Sequence, residues 1–201
     1  NTESPDAAMP WLQAALTLFD DLNRASDQVD VLRNIGLLYL RQGEFDEALR
    51  YFDRVLEFDD PRGEVEANLA RGYAHVRQGK IDDTLADFQT ALSKAIDIDY
   101  KQGIYSVNND LAGLYFMQGQ LKGAIDACNQ ALQITQDIGL LEAVGGIRGN
   151  LGEVYRMRGE YNQAITCYTN ALNIALDLGD LRGMFYALGN MSAAFLAQTH
   201  Y

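Results

Sequence analysis

The chain has 201 residues, 48% of them hydrophobic and 22% charged, which is the composition of a globular protein and not of a disordered one. Its formal net charge of -12 argues against the basic surface that nucleic-acid binding needs, and no apolar run approaches the ~18 residues of a membrane span. We therefore expect no contact with nucleic acid or membrane, and we place the protein in the cytoplasm. The three prolines all lie before residue 62, which favours long helices over turn-rich β structure.

Four glycines punctuate the chain at regular intervals. In chain order they are Gly43, Gly79, Gly119 and Gly159, at spacings of 36, 40 and 40 residues. Each follows one stretch with the apolar periodicity of a helix and precedes another. Because glycine readily adopts the left-handed conformation that ends a helix, each is predicted to terminate one helix before the turn into the next. A period of this length with two helices per unit indicates a solenoid.

The predicted elements follow this period from one end of the chain to the other. The segment 14–23 aligns with 170–179, so the N-terminus is predicted to supply a second helix whose first helix is missing. The C-terminal segment aligns with the start of the preceding repeat, so it supplies a first helix alone. We predict one solenoid over 1–201, made of a half-repeat at 6–25, full repeats at 29–62, 65–98, 105–138 and 145–178, and a half-repeat at 185–201. Because both ends cut a repeat, we expect the chain to be a fragment of a longer protein.

Small and large residues alternate at equivalent positions of these repeats. Two helices approach closely only where one side chain is nearly absent, and large neighbours then fill the flanking space. The small residues are Gly36, Gly72, Ala112 and Gly152 in the first helices, and Ala48, Thr84, Ala124 and Ala164, with Val55, Ala91, Ala131 and Ala171, in the second. The large residues between them are Tyr39, Tyr115 and Tyr155 in the first helices, and Phe52, Phe88 and Tyr168 in the second.

This pattern resembles the tetratricopeptide repeat family, over nearly the whole chain. The departures are His75 in a tyrosine position, Thr84 and Val55 in alanine positions, and Cys128 in an aromatic position. The 40-residue spacing is similar to the long-repeat branch that includes kinesin light chains, Pins-type adaptors and bacterial regulators. The resemblance implies an all-α, right-handed superhelical solenoid of antiparallel helix pairs, with a concave groove, lined by the first helices, that binds other proteins.

No pattern of catalytic, metal-binding or cofactor-binding residues is found in the sequence. It contains two histidines, and we interpret His75 as a residue within a repeat and His200 as a residue at the cut end. Cys128 and Cys167 lie in predicted helices and are interpreted as reduced, buried, small apolar residues. The glycines of GGIRGNLG follow no strand and so do not indicate a nucleotide site. We therefore expect no enzyme activity, no metal and no cofactor.

One set of polar residues recurs where the resemblance places the groove. The sixth position of successive repeats carries an asparagine three times, although asparagine is a mediocre helix former. Its amide could bind the backbone of an extended peptide. The candidate site comprises Asn34, Asp110, Asn150 and Asn190, with Arg33, Arg77, Asn109 and Arg156 beside them and Leu37, Tyr73 and Phe116 as apolar anchors. Alternatively, the asparagines stabilise the stack and the arginines are ordinary solvated charges.

Two functions are compatible with this sequence. In the first, the chain is a non-catalytic scaffold that binds a peptide or partner domain in its groove, as the recognition module of a larger regulatory, signalling or adaptor protein. The groove arginines favour an acidic partner or a C-terminal carboxylate. In the alternative, the chain is an assembly module that self-associates through its terminal repeats and forms a homo-oligomer.

Overall fold

The computed structural model describes residues 5–199, and within that range the secondary structure is entirely α-helical. First and second helices of successive repeats alternate, beginning with a second helix, α1. The helices are α1 (Pro5–Asp21), α2 (Ala25–Gln42), α3 (Phe45–Val55), α4 (Pro61–Gln78), α5 (Ile81–Asp97), α6 (Lys101–Met117), α7 (Leu121–Asp137), α8 (Leu141–Met157), α9 (Tyr161–Leu178) and α10 (Leu181–Thr199). The predicted all-α repeat solenoid is confirmed. None of the described helices is both long and apolar enough to cross a bilayer.

The chain forms two compact units, 1–103 and 104–201. In the first unit each helix from α1 to α4 packs against the next helix along the chain. In the second unit α7, α8, α9 and α10 pack in the same sequential order. Helix α6 begins at Lys101, so most of it belongs to the second unit. Within each unit, packing between consecutive helices is the arrangement expected of stacked hairpins.

The predicted helix-terminating glycines have the expected backbone conformation. Gly43, Gly79, Gly119 and Gly159 have φ values of 82°, 73°, 72° and 77°. The Gly43 N–H donates to the carbonyl of Leu40, which otherwise lacks a partner at the helix end. A side chain at any of these positions would strain the turn, because L-residues other than glycine rarely adopt positive φ.

The first spacing of 36 residues has a local cause. The second helix of the first full repeat, α3, has 11 residues, whereas α5 and α7 each have 17. Asp60 then caps α4 by accepting a hydrogen bond from the Arg62 N–H, and Pro61 occupies the first turn. Proline fits there because the first N–H groups of a helix have no intrahelical acceptor. The shorter repeat therefore arises from an early end to α3.

The predicted alternation of small and large residues is confirmed at three hairpins. A Cβ atom added to Gly36 would lie 2.4 Å from the ring of Phe52, and one added to Gly72 would lie 2.3 Å from Phe88. At Gly152 the same atom would lie 2.5 Å from the ring of Tyr168, which is fully buried. Each glycine therefore permits a close crossing that an aromatic ring of the second helix fills.

His75, for which the sequence left a core or a surface position open, is buried. Its Nδ1 lies 2.8 Å from Oδ2 of Asp87, which is also buried. The other carboxylate oxygen of Asp87 accepts from Nε of Arg71 at 3.2 Å, and Arg71 also pairs with Asp53. The network replaces the aromatic packing that the family pattern predicts at this position. His200 lies outside the described residues.

The two cysteines are free and buried, as predicted. Burial, together with the neighbouring Cys167, raises the pKa of the Cys128 thiol to about 12. Burial also raises the pKa of Cys167. Both side chains therefore remain neutral thiols at pH 7, which suits their packing role and makes them poor nucleophiles.

Candidate functional site

In the first unit, two arginines and a tyrosine border an open hollow of about 490 Å³. Arg77 and Tyr73, both predicted groove residues, lie on α4, and Arg41 lies at the end of α2. The Tyr73 ring is held edge-on against Phe88, with 5.9 Å between ring centroids. We call this surface the arginine hollow, and its lining is Leu40, Arg41, Tyr73, Val76 and Arg77. No carboxylate is among these lining residues, so the hollow carries positive charge.

The other predicted residues of the first unit do not line the arginine hollow. Arg33 pairs with Asp30 at 3.1 Å and with Glu66 on the next first helix. Asn34 is exposed, and Leu37 is partly buried against the core of the unit. The charge of Arg33 is therefore already compensated within the chain.

In the second unit, helices α8, α9 and α10 enclose a cleft of about 540 Å³. Asn150 of α8 and Asn190 of α10, which occupy the same repeat position, both line it. We call this surface the glycine cleft. Its α8 wall is Gly145, Gly146, Gly149, Asn150 and Glu153; its α9 floor is Tyr168, Ala171, Ile174, Ala175 and Leu178; and its rim and α10 wall are Glu142, Asp180, Arg182, Gly183, Tyr186, Ala187 and Asn190.

Asn150 also links consecutive first helices. Its Nδ2 donates to Oδ1 of Asn109 on α6 at 3.1 Å. This contact brings together two predicted groove residues, and it supports both a structural and a binding role for the asparagines. Asp110 and Phe116, the remaining predicted residues of α6, are partly buried and are not among the residues that line the cleft.

Arg156 is held in a network beside the cleft. Its Nη2 donates to Oε2 of Glu153 at 2.8 Å, and the Tyr168 hydroxyl donates to Oε1 of the same carboxylate at 2.6 Å. Burial alone would raise the pKa of Glu153, but the hydrogen bonds from Arg156 and Tyr168 and the Arg156 charge lower it overall. Glu153 is therefore ionised at neutral pH, and Arg156 is engaged rather than free.

Sequence reasoning did not predict the glycine cleft. It identified Asn150 and Asn190 but not the residues that leave space between them, above all Gly146 and Gly149. The available signal was that the repeat at 145–178 has glycine at its first, second and fifth positions, where the other full repeats carry side chains. Within residues 5–199, no group of three or more histidine, cysteine, aspartate or glutamate side chains is arranged to hold a metal ion.

Solved structures share this fold at low sequence identity. BtubC (BKLC) from P. vanneervenii superposes with a TM-score of 0.86 over 98% of this chain and 85% of that chain, at 16% identity. The kinesin light chain repeats of Podosopora anserina, described as nearly identical TPR-like repeats, give a TM-score of 0.69 over 86% of this chain and 87% of that chain, at 13% identity. These likenesses establish the fold alone.

Sequence comparisons give the family. An NADPH oxidase activator of Dictyostelium discoideum is 29% identical over 91 residues, which is 44% of this chain and 14% of that protein. The matched region spans less than a quarter of the length of the curated relatives, at 14% and 24%. Two tetratricopeptide repeat models match, one over residues 103–176 and the other over residues 29–60. Together with the repeat geometry, these matches show that the chain belongs to the tetratricopeptide repeat family.

Proposed function

We propose that this protein is a non-catalytic scaffold that binds a peptide segment or a partner domain on its first helices. Tetratricopeptide repeats are protein–protein interaction modules, and the observation that carries the proposal is the glycine cleft. Asn150 and Asn190, which repeat one position on consecutive first helices, line the same open space. A bound segment would exchange hydrogen bonds with water for bonds to such amides, each contributing ~0.5–1.5 kcal/mol. Useful affinity therefore needs several contacts and apolar burial beside them.

An acidic partner is proposed for the first unit only. The arginine hollow presents Arg41 and Arg77 beside the Tyr73 ring, with no carboxylate in its lining. Guanidinium groups bind carboxylates through paired hydrogen bonds, and an acidic side chain or a C-terminal carboxylate fits this surface. Arg33 and Arg156, by contrast, are already paired with Glu66 and Glu153. Of the three arginines predicted from the sequence to line the groove, only Arg77 therefore supports a preference for an acidic partner.

We further propose that the chain works as the recognition module of a larger regulatory or adaptor protein. The curated relatives are several times longer than the region they share with it. In such an arrangement the repeats select the partner, and other parts of the protein supply the response.

The proposal can be tested with peptides selected from a display library against the whole chain. The variant Asn150→Ala/Asn190→Ala should weaken binding of the selected peptides at least about tenfold, the loss of about 1.4 kcal/mol or more. The matched control is Asn129→Ala/Asn173→Ala, which removes exposed asparagines from the second helices α7 and α9. Normal binding by the first variant together with a lower melting temperature would show that the asparagines are structural.

Self-association is a second candidate, favoured by the exposed apolar faces of the two terminal helices. On α10, Leu181 and Phe185 are 80% and 76% exposed, and on α1, Trp11 is 79% exposed. Helix α10 occupies the first-helix position of a repeat, and α1 occupies the second-helix position. The two faces of different copies could therefore pair as α8 and α9 do within one copy, which would join copies head to tail.

Light scattering over a concentration series separates the two candidates. A monomer at all concentrations supports the peptide-binding scaffold and contradicts self-association. An ordered oligomer that is lost in Phe185→Glu or Trp11→Glu supports the assembly module, because either charge would be buried at the joint without a partner.

A further inference from the structure

The glycine cleft exists because one repeat lacks side chains that the other repeats carry. At the first, second and fifth positions, the repeat beginning at residue 145 has Gly145, Gly146 and Gly149. The equivalent residues of the other full repeats are Val29, Asp30 and Arg33; Val65, Glu66 and Leu69; and Tyr105, Ser106 and Asn109. Helix packing does not require glycine at residues 146 and 149, because a Cβ atom on Gly146 or Gly149 would meet no atom within 4 Å.

The cleft combines an apolar floor with a charged rim. Ile174 and Leu178 of the α9 floor and Ala187 of the α10 wall provide the apolar lining. The volume of about 540 Å³ falls within the range of about 300–1,000 Å³ that is typical of ligand sites. This space can take a large apolar side chain of a ligand, and binding is favoured because that side chain is removed from water.

The rim of the cleft favours positive charge on the occupant. The charged residues that line the cleft are three carboxylates, Glu142, Glu153 and Asp180, and one guanidinium, Arg182. Glu153 is compensated by Arg156, and Asp180 accepts the Arg182 backbone N–H at the start of α10. The Glu142 side chain has no ion-pair or hydrogen-bond partner within the described part of the chain.

Two further groups are placed to receive a peptide at the rim. The Asn190 amide has no side-chain hydrogen bond among the residues that the structure describes, so it can bind a peptide backbone group. The Tyr186 ring lines the cleft and contacts the Phe185 ring edge to face, with 6.4 Å between centroids, yet Tyr186 is 64% exposed, which leaves ring surface that a cation can approach.

We propose that the glycine cleft is a pocket for a bulky apolar side chain of a partner peptide, such as phenylalanine, leucine or methionine, with lysine or arginine next to it. The apolar side chain occupies the space left by Gly146 and Gly149. The neighbouring cation lies between Glu142 and the Tyr186 ring. This inference rests on the proposed peptide-binding function and deepens it, because it assigns a sequence preference to the second unit that is opposite in charge to that of the arginine hollow.

The test uses three nine-residue peptides that differ only in their central three residues. The centres are Lys-Phe-Lys, Glu-Phe-Glu and Lys-Ala-Lys, each flanked by Gly-Ser-Gly on both sides and blocked at the termini. Each peptide is titrated into the whole ¹⁵N-labelled chain, and the amide signals of Gly146 and Gly189 report on binding. The filled-cleft variant is Gly149→Leu, and its matched control is Gly113→Leu, at an exposed glycine of α6 whose Cβ would likewise meet no atom within 4 Å.

The Lys-Phe-Lys peptide should shift both signals saturably, and the other two peptides should bind at least about tenfold more weakly. Gly149→Leu should weaken the Lys-Phe-Lys peptide by about tenfold or more without lowering the melting temperature, whereas Gly113→Leu should leave binding unchanged. Equal binding of all three peptides, no saturable shift, or normal binding by Gly149→Leu would overturn the pocket. If the display-selected peptides still depend on Asn150 and Asn190 in that case, the scaffold function stands and only the assigned preference fails.

Discussion

The substitution Gly152→Leu tests the close crossing of α8 and α9 most sharply. The Cβ atom alone would lie 2.5 Å from the Tyr168 ring, and this ring cannot easily move because its hydroxyl donates to Glu153 at 2.6 Å. Overpacking a core costs about 1–3 kcal/mol, and a leucine with no free space belongs at the upper end. Replacing a glycine within a helix returns roughly 1 kcal/mol. The expected net loss is therefore about 2 kcal/mol.

Thermal unfolding followed by circular dichroism measures this loss. For a chain of this length, about 2 kcal/mol corresponds to a fall in melting temperature of about 4–8 °C. The control is Gly146→Ala in the same helix, where the added Cβ atom would meet nothing within 4 Å. That variant should gain up to about 1 kcal/mol from helix propensity and melt higher. An equal rise for both variants would refute the crossing, because propensity alone would then explain the two glycines.

Three further variants test the network beside the cleft, the buried network of the first unit and the terminal helix. Glu153→Gln should melt lower than the parent at pH 7, and the difference should shrink as the pH falls below ~4.3, since a carboxylate with a lowered pKa stabilises only while ionised; a difference independent of pH would contradict the ion pair. Asp87→Ala should destabilise the chain by about 3 kcal/mol in urea unfolding, because it leaves the buried His75 without a carboxylate partner and Arg71 with Asp53 alone; a loss below about 1 kcal/mol would show that the network contributes little to stability. Deletion of 185–201 should lower the melting temperature by uncovering the apolar face of α9, and an unchanged value would mean that α10 adds no packing.

The turns and close crossings could be predicted from sequence because each depends on local chemistry. A glycine such as Gly79 marks a helix end wherever it follows an apolar helical pattern, since positive φ is required there. Gly72 and Phe88 lie at fixed offsets from that glycine, so their pairing repeats with the hairpin. Because the same pattern recurs in each repeat, the turn and the close crossing could be predicted from several equivalent segments and not from one helix alone.

The candidate binding surfaces could be predicted only in part, because they depend on which side chains pair across helices. Arg33 occupies a groove position in the sequence, but the fold places it beside Glu66 of the next first helix, which the sequence does not predict. Arg156 pairs with Glu153 three residues earlier on the same helix, a pairing that helical spacing alone allows. Arg77, by contrast, lies with Arg41 from the preceding first helix in an open hollow. The glycine cleft could not be predicted for a different reason. It forms where glycines leave space between helices, and a search for polar or charged functional groups does not detect such a space.

The most direct test of the binding surface is hydrogen–deuterium exchange of the whole chain with and without a display-selected peptide, followed by mass spectrometry. Binding to the first helices predicts slower exchange of amides in α8 and α10, or in α2 and α4 for a peptide that occupies the arginine hollow. The outer second helices α7 and α5 should exchange as in the free protein. Protection confined to those second helices or to the turns, with the first helices unchanged, would contradict the account.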